Sequence, residues 1–383
     1  MIIAIIIFFI LLIIIPDIWL WRRYIRNTSS AVLKIAWWLP SLFSLVFLSL
    51  WFAGFFSNLL IKIFFSIVLA LAFPKGIFML FSLAGLCAGR RVRRALNIAG
   101  AALAAVVCLC ALYGLTFGTR RLEVREVTLT FANLPEAFDG YRIVHISDLH
   151  VGTFGGDNAY LGRLVERVNA LDADAILFTG DIINTKPSEL PPHAAVLSRL
   201  EARDGVWSVL GNHDYCEYAR YETEEETAAA RMQVIGTERQ MGWRLLLNEN
   251  GTVERDGERI AIIGVENTSR PPYPSYGDLK KARNGIPEDM FTVLMTHDPT
   301  HWRREVLPGK GADLTLSGHT HAMQFEVLGF SPSSWTYAEW GGVYREGGVM
   351  LNVSKGAGGT IPFRFGAWPE VTVLTLRREG CGS

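Results

Sequence analysis

The densest chemistry in the sequence is Ser317-Gly318-His319-Thr320-His321, which follows an apolar run, Ala312-Asp313-Leu314-Thr315-Leu316, that reads as a buried strand. Two histidines one residue apart, on a turn opened by glycine, aim both imidazoles into one space. Neutral imidazole is the commonest protein metal ligand. The pair is too tight to close a structural zinc site alone, so further ligands must come from elsewhere in the chain. Taken alone, a His-x-His also reads as a surface turn. Four other turns supply what the pair lacks: Asp148-Leu149-His150, Gly180-Asp181, Gly211-Asn212-His213-Asp214 and His297. Each follows a strand-like run, and ligand sites in α/β sheets lie off the carboxyl ends of strands. Five of the eight histidines in the chain fall in these turns, a clustering that core or surface histidines do not produce.

The donor types point to divalent ions such as Mn²⁺, Zn²⁺ or Fe²⁺, because Asp, Asn and His together do not make a soft thiolate site. Two Asp, one Asn and four His exceed what one ion with an open position needs. They suffice for two ions joined by one carboxylate. Two ions about 4 Å apart can hold a hydroxide and clamp a phosphoryl oxygen, which is the logic of two-metal phosphoester hydrolysis.

The elements that position these turns begin near Leu122. Strands are expected at Tyr141–Ile146, Ala173–Phe178, Val206–Leu210, Arg259–Val265, Phe291–Met295, Leu314–Leu316, Val349–Val353 and Val371–Leu376. Helices are expected at Leu161–Leu171, Ala194–Leu200 and Tyr221–Val234, the last with the acidic start that a helix dipole favours. Apolar strands without clean alternation are covered on both faces, so residues 119–383 are expected to form a layered α/β domain.

Residues 1–118 are of another kind. Apolar runs cover about 2–21, 35–55, 59–87 and 97–117, each near the ~20 residues that cross the hydrocarbon. The first has no basic start and no small-residue cleavage site, so it reads as a retained span. The third is interrupted by Pro74-Lys75-Gly76 and reads as one kinked helix, since Pro and Gly are tolerated in membrane helices. Basic residues cluster in two loops, Arg22, Arg23, Arg26 and Lys34, then Arg90, Arg91, Arg93 and Arg94. The positive-inside rule puts both loops in the cytoplasm, so the α/β domain is expected outside it, on a multi-pass cell-membrane protein. Arg120 and Arg121, after the last span, weigh slightly the other way.

Formal charge is zero, yet residues 1–118 hold ten basic residues and one acid, Asp17, leaving 27 basic and 36 acidic residues beyond them. An acidic domain argues against nucleic acid as partner, which needs a positive footprint. Five cysteines make no disulfide framework. A Cys216–Cys381 bridge is the one pairing left open. With few ionisable residues in the spans beyond Asp17, Lys62 and Lys75, anchoring is a better reading of the helices than transport.

The order D-x-H, G-D, G-N-H-D, H, G-H-x-H resembles the calcineurin-like metallophosphoesterases. The text "RIVHISDLHVG", "ILFTGDIIN", "VLGNHDY" and "LSGHTH" resembles the branch of that family tethered to a membrane, over roughly residues 123–378. The resemblance implies a four-layer αββα sandwich, here preceded by about four transmembrane helices. It implies that Asp148, His150 and His321 bind one ion, that Asp181 bridges both, and that Asn212, His297 and His319 bind the second. A hydroxide held between the ions would attack phosphorus in line. His213 would stabilise the transition state or protonate the leaving oxygen, and Asp214 would orient His213, as carboxylates commonly fix histidine tautomers. Where many relatives continue G-H-T-H-G-G-Q, this chain has Ala322-Met323-Gln324, a change at the substrate's approach and not at a ligand.

Other residues have plainer expectations. His145 belongs in the sheet, His193 in an exposed Pro191-Pro192-His193 turn, and Asn184 and Thr320 in turns. His301 has two readings, a supporting position behind the ligands or none. The aromatic segment Phe325–Tyr344 reads as loop packing or as an apolar wall facing the membrane, where Trp and Tyr are favoured. The function expected is a membrane-anchored, dinuclear-metal phosphoesterase acting on a phosphoester, with a phospholipid or nucleotide-linked lipid suggested by the anchor. Alternatives are a UDP-2,3-diacylglucosamine pyrophosphohydrolase-like enzyme, a soluble-nucleotide phosphodiesterase, and a metal-binding membrane protein without activity.

Overall fold

A computed structural model describes residues 2–55, 57–271 and 273–380; Cys381, and with it the Cys216–Cys381 pairing, lies outside them. The chain divides into two compact units. One is Met1–Gly118 with Ile361–Phe365, and the other is Thr119–Thr360 with Gly366–Ser383.

The first unit is helical. Its helices are α1 (Ile2–Leu20), α2 (Ala31–Phe52), α3 (Asn58–Ile67), α4 (Phe73–Ala84) and α5 (Arg90–Thr116). A single wide turn, Val68–Ala72, joins α3 to α4, so the third apolar run is one continuous helix. The wide turn lies just before Pro74, whose missing N–H cannot extend the regular ladder of a continuous helix. Four segments, Ile5–Ile25, Ala31–Phe52, Asn58–Cys87 and Arg90–Arg120, are long and apolar enough to cross a membrane. Inside this unit Asp17 is 1% exposed and pairs with Lys75 at 2.7 Å. Ser41 Oγ donates to the same carboxylate, and the Lys75 ammonium lies 4.2 Å from the centre of the Trp37 ring.

The described residues of the second unit hold twelve strands: β1 (Glu123–Phe131), β2 (Arg142–Ile146), β3 (Ala175–Phe178), β4 (Val206–Ser208), β5 (Arg244–Leu245), β6 (Glu249–Arg255), β7 (Glu258–Gly264), β8 (Thr292–Met295), β9 (Leu314–Ser317), β10 (Gly342–Glu346), β11 (Val349–Val353) and β12 (Glu370–Arg378). They form two six-stranded sheets, in the orders β1-β12-β2-β3-β4-β5 and β10-β11-β9-β8-β7-β6. At the centre of each sheet the strands run parallel, β2-β3-β4 in one and β7-β8-β9 in the other.

Period-two alternation builds the layers. Along β3, Ala175 and Leu177 point into a core that also contains Ile262, Val293 and Leu316 of the opposite sheet. Ile176 and Phe178 point the other way, onto Leu164, Val168, Leu197 and Val234 of α6 (Ala159–Asn169), α7 (Pro191–Leu197) and α8 (Glu224–Gln240). The second sheet covers its outer face with Leu279, Trp302 and Val306. The result is the α/β sandwich of two sheets between helical layers. Its central strands end together, which is where the ligand-type turns begin.

Candidate metal centre

The turns that leave β2, β3, β8 and β9 bring the expected residues together. Asp148, His150, Asp181 and His321 form one group of ligand-type atoms, and Asp181, His297 and His319 form a second. Within each group the atoms lie within 4.8 Å of one another, and Asp181 belongs to both. His150 Nε2 and His321 Nε2 are 3.1 Å apart. His321 Nε2 lies 3.2 Å from Asp148 Oδ1, and His150 Nε2 lies 3.5 Å from Asp181 Oδ2. Asn212 joins through its Oδ1, 2.8 Å from His319 Nδ1. The sequence separations are large, yet the burial is nearly complete: Asp148, His150 and His297 are 0% exposed.

The backbone is bent hard to achieve this. Asp148, His150, Asp181, His319 and His321 all have φ between +47° and +73°, a region costly for residues with a Cβ and concentrated at functional sites. The turns also touch backbone to backbone. A Cβ on Gly211 would fall 2.2 Å from Asp181 Oδ1, and one on Gly318 would fall 2.2 Å from Asp148 Oδ2. Glycine at these two positions therefore makes the room in which the carboxylates stand. Ala322 and Met323 continue the left-handed run at φ +50° and +47°, so the departure from glycine keeps glycine-like geometry and adds strain.

The far side of each ring fixes its direction. His150 Nδ1 meets the Ile183 carbonyl at 3.0 Å, and His297 Nδ1 meets the Thr179 carbonyl at 2.7 Å. A carbonyl can only accept, so Nδ1 carries a proton and Nε2 of each ring faces the carboxylates. His297 Nε2 is 3.1 Å from Asp181 Oδ2 but has no aligned hydrogen-bond partner among the described residues.

The electrostatics test whether cations fit. Burial pushes the Asp148 carboxyl up to about 6 and the His150 imidazole down to about 3. Burial also opposes charge on His297, but Asp181 and Asp148 outweigh it and raise His297 to about 10. Against its own burial, Asp181 is held well below the usual carboxylate range by His297 and His213. The carboxylates thus draw a positive charge onto His297. Divalent cations would supply that charge, and the oxygen and nitrogen donors suit them.

The remaining residues sort themselves by contact. His213 is half-buried, with its ring centroid 4.8 Å from that of His150, and its backbone N–H donates to Asp181 Oδ1 at 2.9 Å. Its Nδ1 is held by the Asn184 carbonyl, not by Asp214 as expected. Asp214 is fully buried and occupied elsewhere. Its oxygens accept from the backbone N–H groups of Asp181, Ile182, Ile183 and Gly211, which ties the β3 turn to the β4 turn. Burial, then the nearby Asp181 charge, raise its carboxyl to about 7. Asp214 positions the turns and does not orient His213.

His145 lies in the sheet, bonded to Thr179 and Asn352. His193 is buried, contrary to the expectation of exposure: Asn158 Oδ1 and the Gly155 carbonyl take both ring nitrogens. His301 is bonded to Thr296 and Glu305, using both nitrogens away from the cluster. Asn184 contributes through its backbone, as above. Two tyrosines escaped sequence reasoning as site residues. Tyr337 Oη is 3.0 Å from His319 Nε2, and Tyr218 stacks on His213 at 4.4 Å while accepting from Asn212 Nδ2 at 2.8 Å. Their signal was only proximity: Tyr218 follows the N-H-D turn by four residues, and Tyr337 lies in the aromatic segment. Both line a cavity of about 630 Å³ together with His319, Asn212, Arg270 and Tyr273.

This sandwich, with its paired donor groups sharing one carboxylate, defines a metallophosphoesterase, and the chain belongs to the calcineurin-like phosphoesterase family, whose profile matches residues 141–323. Over 268 residues it is 30% identical to an uncharacterized metallophosphoesterase, YkuE, of Bacillus subtilis, covering 67% of this chain and 86% of that protein. It is 29% identical over 284 residues to a transmembrane protein with metallophosphoesterase domain of Danio rerio, covering 71% of this chain and 61% of that one. It is 24% identical over 306 residues to a protein of Chlamydia trachomatis named UDP-2,3-diacylglucosamine pyrophosphatase LpxG, covering 66% and 90%.

Proposed function

We propose that the chain is a membrane-anchored phosphoesterase with two divalent metal ions, acting on a phosphoester that resides in or beside the bilayer. The observation that carries this is the sharing of Asp181 between two donor groups. In this reading Asp148, His150 and His321 hold one ion, Asn212, His297 and His319 hold the other, and Asp181 bridges them. When bound, such a pair supplies an activated water and a Lewis acid for the phosphoryl oxygens.

The chain's own groups do the rest. The Ile183 and Thr179 carbonyls keep Nε2 of His150 and His297 inward. His213, clamped by Asn184, stands at the rim without being a ligand; as an imidazolium, with Nδ1–H on that carbonyl, it can pass its Nε2 proton to the departing oxygen and be left neutral. Tyr337 and Tyr218 hold His319 and Asn212 from the cavity side. Domain division near residue 118, with the catalytic part outside the cytoplasm, belongs to this proposal and rests on the two basic loops. The relative named as a UDP-2,3-diacylglucosamine pyrophosphatase favours a second reading, a nucleotide-linked lipid as substrate. That substrate is expected at the cytoplasmic face, so the basic-loop topology counts against it.

The test is hydrolysis of bis-p-nitrophenyl phosphate by the full-length protein with Mn²⁺. Wild type turns over, His213→Ala loses about a hundredfold in kcat as a missing general acid should, and Asp181→Ala is inactive. Equal rates for all three would refute the reading.

A further inference from the structure

Nine large apolar side chains are exposed in the described residues beyond 118, and six of them lie in one stretch of thirteen residues: Met323, Phe325, Val327, Leu328, Phe330 and Trp335. Leu328 is 102% exposed and Trp335 79%. Monomeric soluble domains rarely gather such side chains into one patch without a partner. The stretch is not slack. Val327 and Phe330 exchange both backbone hydrogen bonds, at 2.9 and 3.0 Å, with Leu328 and Gly329 at positive φ forming the tip. Ser331 Oγ donates to the Ala322 carbonyl at 2.6 Å, and Lys355 pairs with Glu326 at 2.7 Å. A rigid base thus presents an apolar tip.

Both ends of the stretch are fastened to the metal centre. It begins two residues after His321, and two residues after Trp335 the Tyr337 hydroxyl meets His319. Its base also faces the chain's entry into this unit. Glu326 and Lys355 line one cavity of about 510 Å³ with Glu123 and Arg125 at the start of β1. The last candidate span ends at Arg120 and β1 begins at Glu123. Three residues reach only about 10 Å, so this end of the domain is held near a bilayer's surface by covalent connection.

We propose that residues 323–335 form a loop that seats in the bilayer interface and holds the metal centre at headgroup level, so that the substrate is the phosphoester of a membrane lipid. Tryptophan and phenylalanine favour that depth. The domain carries 36 acidic against 27 basic residues, so apolar insertion, and not charge attraction, is the means by which it meets an anionic surface. This inference rests on the phosphoesterase reading for its substrate but not for the loop's location.

The experiment uses the full-length chain in nanodiscs. Leu328→Cys and Met232→Cys are made singly in a background with Cys87, Cys108, Cys110 and Cys381 replaced by serine, and each is labelled with an environment-sensitive fluorophore. Met232 is a second exposed apolar site, on α8. Lipids brominated on the acyl chain quench the label at 328 at least threefold more than the label at 232 if the loop is inserted. Equal quenching overturns the proposal, as does shielding at 328 that follows protein concentration and not bromolipid, which would assign the loop to a second copy. In vesicles, Leu328→Asp raises the apparent KM for a long-chain phospholipid at least tenfold with metal content unchanged; an unchanged KM overturns the substrate assignment. If wild type hydrolyses no phosphoester at all, the phosphoesterase reading fails while the quenching comparison still decides the loop.

Discussion

Two places in this molecule bury charge, and they do so in opposite ways. In the helical unit Asp17 is matched within reach by Lys75, Ser41 and Trp37, so the group is neutral and satisfied by itself. In the α/β unit Asp148 and Asp181 stand beside His150, whose charge burial opposes, and His297, which their own charge raises to about 10. A self-neutral buried pair contributes little net stability but is costly to break. A buried set with surplus negative charge is unstable by itself and becomes stable by taking up cations. The first pattern describes a joint between helices, and the second describes a binding site.

The comparison can be broken at several points. The largest effect is expected at the shared carboxylate: Asp181→Ala lowers phosphodiesterase kcat at least a thousandfold, about 4 kcal/mol in barrier, while the protein still folds by circular dichroism. In the helical unit Lys75→Met leaves Asp17 unmatched, and unfolding in detergent becomes easier by about 3 kcal/mol. Adding Asp17→Leu to that variant restores most of the loss, and failure to restore would show that the pair is more than a neutral joint.

Asp148→Asn has the opposite sign. Its folded carboxyl is raised to about 6 from an ordinary 3.8, so its stability is intact below the unfolded value and lost as pH rises through 6. In chelator-treated protein at pH 8 the Asn variant is therefore more stable than wild type, by on the order of 1–3 kcal/mol, and near pH 3 the two melt together. The smallest effect is expected at Glu238, buried on α8 with one oxygen accepting from Ser208 at 2.7 Å and the other without a partner among the described residues. Burial raises its carboxyl well above 4.5, so the same sign applies. Glu238→Gln gains about 1 kcal/mol at pH 8 and nothing at pH 4, with activity retained.

How much of this was legible in the sequence follows from the same physics of burial. The eight strands expected from apolar runs are the inner strands of the two sheets, where both faces are covered. The four that escaped notice, β1, β5, β6 and β10, are the four sheet edges. The edge strand β6 reads Glu-Asn-Gly-Thr-Val-Glu-Arg with one buried side chain, and no apolar run marks it. The ligand-type residues were legible because turns at strand ends repeat short motifs of unusual composition. Their partners were not. The carbonyls of Ile183, Thr179 and Asn184 have no side-chain signature, and neither Asp214's grip on four backbone N–H groups nor the burial of His193 follows from sequence neighbours. Residues 361–365 joining the helical unit also left no trace in composition.

The most direct measurement of the central claim is the number of divalent ions bound per chain in full-length protein, by elemental analysis after equilibration with Mn²⁺ and desalting. Two ions in wild type, one or none in Asp181→Ala, and two again in Lys75→Met is the predicted pattern. Wild type without bound ions, or Asp181→Ala retaining both, would contradict it.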